Sequence, residues 1–516
     1  MLIKNGTLLD GTGTKMRLAD IRIEGERIIE IGNLTPKNNE ELVDAKDKYI
    51  APGFIDILNH ADVFAKLFEN PSQESLLQQG ITTVLMGNCG SSLAPLLDGV
   101  YINSIQKWGD INKLNVNWLT MKELFEEMNR HSFGVNIATL AGHSTMRRIF
   151  TEDEPRILVD SEIDQMEYML EQALSEGAFG LSIGLAYAHA RNANKRELIR
   201  MAKVVKDYNG LFSMHIRNES EGFTEGVLEG LNIAKKTGVN LEFSHLKVMG
   251  KKYWEQFEEG ISALEDLDNV NFDIYPYTTT ASVLYSYLPN WVSKHGNKSL
   301  FQVLKNKEKM EKLLEEMRNS SYNYEDMVVA MGNVNKIYFG KSLGEIAKNQ
   351  GTGPEEIALN LIEASGNRVI VFNKTIDEEN VLNAIKHPKS ILCADGVGYK
   401  KQERITGEVV HPRFFGAFPK VLHEYVRKKE VLTWEEAIKK ITSGPAAKIG
   451  LKNRGVIREN NYADVVILDP ERIEDMATFK NPYQYPRGID RVIINGETTV
   501  QDGKLQNTSG KILKRV

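Results

Sequence analysis

Short apolar runs rich in β-branched side chains recur along the middle of the chain, each closed by a polar or glycine-bearing turn. They are Gly53-Phe54-Ile55-Asp56-Ile57, Thr82 to Met86, Gly134-Val135-Asn136-Ile137-Ala138, Ala178 to Ile183, Leu211 to Met214, Val239 to Phe243, Val270 to Ile274 and Ser390 to Cys393. Runs of this kind predict strands buried on both faces. Helix-length spacers separate them, the βα alternation of an α/β protein with a parallel sheet. Eight runs favour a closed (β/α)8 TIM-like barrel over an open doubly wound sheet, because Pro52-Gly53-Phe54-Ile55-Asp56 carries no glycine-rich phosphate loop.

The two ends of the chain read differently. Residues 1–50 are short strands broken by Asn5-Gly6, Asp10-Gly11-Thr12-Gly13 and Glu24-Gly25-Glu26, and residues 441–516 continue in the same manner through Ala463 to Asp469 and Arg491 to Glu497. Together they predict one small β-rich domain made from both ends, flanking a barrel over 51–440. The longest spacing lies between the seventh and eighth runs. It holds Trp291, a charged helical stretch from Lys305 to Arg318 and a second helix near Ser342 to Gln350. An insertion at about 283–345 is therefore expected over the carboxyl face, either as a lid or as a packing elaboration.

Composition narrows the class of protein without identifying it. The 516 residues are 41% hydrophobic and 26% charged, ordinary for a soluble globular chain. A net charge of −6 supplies no basic surplus for nucleic acid. The basic stretch Lys511-Ile512-Leu513-Lys514-Arg515 reads as solvated surface. Two cysteines make no disulfide framework and suit a reducing compartment. Met1-Leu2-Ile3-Lys4 is strand-like rather than a signal segment, and no stretch is long and apolar enough to span a bilayer. The expectation is a cytoplasmic protein that works away from membranes; its oligomeric state is not written in the sequence.

The candidate chemistry sits where the runs end. Cys89, His215, His245 and Asp395 follow the second, fifth, sixth and eighth runs. Side chains there converge at the carboxyl face of a barrel, where such folds place their sites. One thiol and two imidazoles suit zinc with an open fourth position. Cys89, between glycines, is a ligand or else a core thiol or nucleophile. Beside a metal-activated water, Asp395 could act as general acid/base; its alternative is a helix N-cap. His60 is either a further ligand or a hydrogen-bonded structural residue, with Asp62 able to orient it or to cap a helix. His143 is a substrate or supporting contact, or structural. Cys393 reads as core packing.

These segments resemble the amidohydrolase superfamily, and within it the N-acyl-D-amino-acid deacylase (D-aminoacylase) family. The resemblance rests on Ala51 to Asp56, Gly80-Ile81-Thr82-Thr83-Val84, Gly87-Asn88-Cys89-Gly90, Gly142-His143-Ser144-Thr145, Gly177 to Ser182, Ser244-His245-Leu246-Lys247, Asp273 to Tyr277, Ala394-Asp395-Gly396, and His411-Pro412-Arg413 with Gly416 to Pro419. It implies one zinc held by Cys89, His215 and His245, with Asp395 as the proton carrier. It also implies a substrate carboxylate bound by Lys247, Tyr275 and Arg413, and Tyr187 beside the pocket. The implied reaction is hydrolysis of the linear amide of a small N-acylated amino acid of D configuration.

The chain departs from the family pattern at three places. Leu58 stands where the first-strand motif His-x-His has its first histidine, so a second metal site is expected to be lost. Thr280-Ala281-Ser282 replaces a Gly-Ser-Thr, and His189 replaces a proline after Tyr187. A cyclic-amide hydrolase or deaminase of the same superfamily, and a non-catalytic binding relative, remain the alternatives.

Overall fold

The computed structural model describes residues 1–105, 108–152, 155–293 and 296–515. Its centre is an eight-stranded parallel barrel. In chain order the strands are Phe54–Asp56, Ile81–Met86, Asn136–Thr139, Gly180–Gly184, Leu211–His215, Asn240–Phe243, Val270–Ile274 and Ser390–Leu392. All eight apolar runs became barrel strands. Every residue of the second, fourth and fifth strands is buried, as a wall covered by helices outside and packed side chains inside demands.

Pairing runs in parallel through the fourth to eighth strands, with Gly184 opposite His215 and Ile274 opposite Leu392. The first three strands form a second parallel stretch. The two stretches are joined on one side by the Phe179 N–H, which donates to the Thr139 carbonyl, and by Ala141–Gly142 pairing onto the fourth strand. On the other side Asn59 bridges Gly396, and the Ala394 N–H donates to the Asp56 carboxylate at 2.8 Å. The barrel is closed, and the eighth strand is tied to the first just below the site.

The ends of the chain share one sheet. Tyr49–Pro52 pairs antiparallel with Val465–Leu468, so the first and last parts of the sequence meet directly. A second sheet orders Arg27–Gly32, Asp20–Glu24, Leu2–Lys4 and Leu42–Asp44, and Ile3, Ile21, Ile50, Val465 and Ile467 pack between the two. The basic stretch near residue 511 is not merely solvated surface. The Ile137 N–H donates to the Lys511 carbonyl, the Leu513 N–H donates to the Ile137 carbonyl, and Ile512 and Leu513 pack against the core. Its backbone adds to the barrel base while Lys511 and Lys514 stay exposed and Arg515 donates to the Ile449 carbonyl at 3.0 Å. Among the described residues no helix is long and apolar enough to cross a membrane.

The long spacing after the seventh strand forms a unit with its own core. Thr279–Val283, Val369–Lys374 and Val328–Gly332 make an antiparallel sheet in that order. Helices Lys307–Arg318, Leu343–Gln350 and Pro354–Ser365 pack on it through Leu313, Met317, Ile346, Ile362 and Val371. The inserted unit thus extends to residue 374, beyond the expected end near 345. Its final strand is an apolar run like those of the barrel, and pairs inside the insert instead.

Candidate active site

Three of the site residues are held by backbone that side chains other than glycine rarely adopt. Cys89, His245 and Asp395 have φ of 53°, 37° and 45°, each shortly after a strand that ends at Met86, Phe243 or Leu392. The left-handed turn swings the side chain up from the strand end toward the barrel axis, at a cost of about 1–3 kcal/mol per residue. The surroundings enforce it. The Gly90 N–H donates to the Ser182 hydroxyl at 2.9 Å, and that hydroxyl donates to the Gly87 carbonyl, which clamps the turn carrying Cys89. The His245 N–H donates to Asp273 Oδ1 at 2.6 Å.

Gly87 is essential to this turn. Its φ is +75°, and a Cβ added there would lie 2.2 Å from the Leu140 carbonyl oxygen. Gly87→Ala is expected to cost on the order of 3 kcal/mol, read as a fall in the denaturation midpoint, and to weaken metal retention because the Cys89 turn must shift.

The ligand atoms of Cys89, His215 and His245 lie within 4.8 Å of one another. Cys89 Sγ is 3.3 Å from His245 Nε2, and the two imidazole rings meet edge to face with centroids 4.4 Å apart. Their chemistry suits a metal. Both nitrogens of buried His215 lack a hydrogen-bond partner, which is costly unless something else occupies them. Burial, with Lys247 and His215 nearby, pushes His245 down to about 4, so the ring is neutral as ligation requires. Burial, and then the Asp395 charge, push the Cys89 thiol well above its ordinary value; a cation between these groups reverses that balance and favours thiolate.

Glu219 was invisible to sequence reasoning and is central here. Its Oε1 lies 3.3 Å from His245 Nδ1, its Oε2 lies 3.5 Å from His215 Nε2, and Lys247 Nζ donates to Oε1 at 2.5 Å. Burial opposes its charge, but Lys247 and His215 outweigh burial and hold the carboxyl well below the usual range. One buried carboxylate therefore orients His245 from its Nδ1 side and lies beside the His215 ring without a hydrogen bond to it, a supporting role that would tune a metal site. Glu219→Gln is expected to weaken metal binding about 10–100-fold in chelator competition.

Asp395 takes two partners: His60 Nε2 at 3.0 Å on one oxygen and Arg413 at 3.0 Å on the other. Burial raises the carboxyl, but Arg413 and His60 outweigh it and hold it well below the ordinary carboxylate value. His60 thus sits against Asp395 and is not in the three-ligand cluster. Leu58 is fully buried in the barrel core. Asp62 caps no helix; its Oδ2 accepts from the Gly87 N–H at 2.9 Å, tying the first two strand ends together. Cys393 does more than pack, since its thiol donates to Asp273 Oδ1 at 3.2 Å.

Arg413 and Lys247 both face Tyr275, at 4.7 Å and 6.0 Å from the ring centroid. The three surround the cavity described below, with Tyr187 stacked edge-on against His215 at 5.1 Å. His143 does not line this cavity. It is fully buried, with Nε2 2.8 Å from Glu197 Oε1, and Arg147 donates to the same oxygen at 2.9 Å. Of the readings open to it, the structural one fits: it braces the segment after the third strand. His189 is also absent from the cavity wall, and its carbonyl accepts from Arg147.

The cavity is lined by Cys89, His215, His245 and Asp395 at its floor. All three insert strands reach it, through Thr280, Ala281, Ser282, Met331, Ile370 and Phe372.

A family model described as "Amidohydrolase family" matches residues 41–500. The chain is 31% identical to the N-acyl-D-glutamate deacylase of Alcaligenes xylosoxydans xylosoxydans over 523 residues, covering 100% of this chain and 96% of that protein. It is 28% identical to the D-aminoacylase of the same organism over 522 residues, covering 100% and 97%. Among solved structures, the N-acyl-D-glutamate deacylase of Bordetella bronchiseptica, complexed with zinc and a phosphonate mimic of the tetrahedral intermediate, matches with a TM-score of 0.84 at 28% identity over 99% of each chain.

Proposed function

The chain belongs to the amidohydrolase family, and from that premise we propose that it is a zinc hydrolase cleaving the linear amide of N-acyl-D-amino acids to a carboxylate and the free amino acid. Its broader chemistry, metal-dependent hydrolysis of carbon–nitrogen bonds other than peptide bonds, follows from the family and from relatives that span its whole length. The observation that carries the finer reading is the juxtaposition of a Cys-His-His cluster, an ionised Asp395 and two cations gathered over Tyr275.

Cys89, His215 and His245 would hold the ion. When bound, zinc supplies a Lewis acid for the amide carbonyl and acidity for the attacking water. Asp395 receives the proton of that water on a carboxylate oxygen and returns it to the departing nitrogen. Tyr275 stays a neutral phenol, because burial raises it well above its ordinary value, and can donate to the substrate. Arg413, a planar two-pronged donor, and Lys247 gather the substrate carboxylate. That carboxylate draws Arg413 away from Asp395, so substrate binding itself makes the proton acceptor more basic.

One ion per chain is part of the reading. Leu58 offers no ligand atom, and His60 is engaged by Asp395.

The D configuration is drawn from the relatives, whose names specify D substrates. Hydrolysis of paired N-acetyl-D and N-acetyl-L amino acids by zinc-loaded protein tests it. A preference for the D series is expected; a preference for L would reject the stereochemistry, and turnover of neither would reject the reaction.

A further inference from the structure

Resting on the zinc site of the reading above, we propose that the inserted unit helps to retain the metal, and that Tyr322 is the positioning residue through which it holds Glu219 beside the ligands. The argument begins with what fixes that carboxylate. Glu219 lies in the loop between the fifth barrel strand and the helix Phe223–Thr237. The flanks of this loop are tied within the barrel: Arg217 pairs with Glu229 at 2.8 Å, and the Phe223 N–H donates to the Ser220 carbonyl at 3.0 Å. Between the flanks, the insert takes hold through two separate contacts. The Ser220 hydroxyl shares a hydrogen bond with the Tyr322 phenol. The Met249 N–H donates to the Glu219 carbonyl at 2.6 Å, and the Met249 side chain belongs to the insert's own core with Leu284 and Tyr287. Glu219 and Ser220 from the barrel thus share the wall of one vestibule, outside the cavity, with Tyr287 and Tyr322 from the insert.

Tyr322 is itself firmly placed. Its ring meets Tyr287 edge to face with centroids 5.1 Å apart. The Tyr287 hydroxyl lies 2.7 Å from Thr280 Oγ1, and the Tyr287 carbonyl accepts from the Tyr324 hydroxyl at 2.7 Å. A line of contacts therefore runs from Thr280 in the cavity wall through Tyr287, Tyr322 and Ser220 to the carboxylate that orients His245. Burial, with the Glu219 charge nearby, pushes Tyr322 up to about 12, so it meets Ser220 as a neutral phenol. A contact such as Glu219 Oε1 to His245 Nδ1 at 3.3 Å weakens steeply with distance and angle, so small movements of the loop matter. Without the phenol, Ser220 is released, and Glu219 can move out of reach of the ring it orients. The insert supplies no residue to the Cys-His-His cluster, yet it bears on that cluster through this loop.

The test measures zinc affinity of the full chain by competition with a chelator, and so needs no substrate. Tyr322→Phe keeps the ring and its packing on Tyr287 and removes only the hydroxyl. It is expected to weaken zinc binding about fivefold, the worth of one neutral hydrogen bond. Ser220→Ala is expected to do the same, and the double variant to be no weaker than either single one, because both remove the same contact. Ser342→Ala is the control for a merely structural role. It removes a helix cap inside the insert, where the Ser342 hydroxyl accepts from the Glu345 N–H at 3.1 Å. It is expected to lower the melting temperature while leaving zinc affinity within about twofold of the wild type. Zinc affinity of Tyr322→Phe within about twofold of the wild type, losses that multiply in the double variant, or an equal loss in Ser342→Ala each overturn this inference and leave the zinc hydrolase reading standing. A wild type that retains no near-stoichiometric transition metal overturns that reading, and this inference with it.

Discussion

Cys89→Ala is expected to leave a folded protein without metal, at least about 10⁴-fold lower in kcat/KM on any substrate the wild type hydrolyses. The size follows from what the thiol does. Cys89 would be the one anionic ligand of the three, and its sulfur sits against His245 Nε2 at 3.3 Å. Without it two neutral imidazoles remain, too few for a structure-held ion at ordinary free-metal concentrations. His60 cannot substitute while it is bonded to Asp395. The fold survives because the turn is clamped by Ser182 and Gly87, not by the sulfur. Metal analysis after gel filtration is the direct check. About one equivalent of transition metal is expected in the wild type and almost none in the variant. Full activity in Cys89→Ala, or a wild type active without near-stoichiometric metal, would defeat the mechanism.

The second large effect is expected at Asp395. Asp395→Asn should keep the metal and lose about 10³-fold in kcat, the scale of a lost general acid/base. The amide is nearly isosteric, and its one oxygen can keep the contact to Arg413 while its NH2 faces His60. Arg413, freed from the opposite charge, becomes more available to the substrate carboxylate, so KM should stay level or fall. That split, kcat down with KM level or lower, separates proton transfer from substrate anchoring. An Arg413→Ala variant should show the opposite balance, with KM carrying most of the loss. Retention of kcat within tenfold in a fully metallated Asp395→Asn would remove Asp395 from proton transfer.

Most of this architecture was legible in one-dimensional pattern. A parallel barrel strand is buried on both faces, so it reads as an unbroken apolar run, and the polar residue that ends it is conspicuous. Cys89, His215, His245 and Asp395 were found for that reason. Lys247 and Arg413 came through resemblance, since a cation in a loop is by default a surface residue. Glu219 escaped because Arg217-Asn218-Glu219-Ser220-Glu221 looks like solvated loop, and its burial is created by the insert and the neighbouring strand ends. His143 stayed between two readings for the opposite reason. A histidine at a strand end resembles a ligand, yet here Glu197 and Arg147, both fully buried, capture it. The far limit of the insert was missed because Val369–Lys374 has the apolar pattern of a barrel strand and differs only in its partner. Periodicity records burial; it does not record which sheet does the burying.

The left-handed backbone at Cys89, His245 and Asp395 has an evolutionary consequence. Glycine or asparagine at any of these positions would relax the turn, so activity and durability compete there residue by residue. Selection for heat resistance without a check on turnover would erode these positions first, yielding a sturdier barrel with nothing left to catalyse.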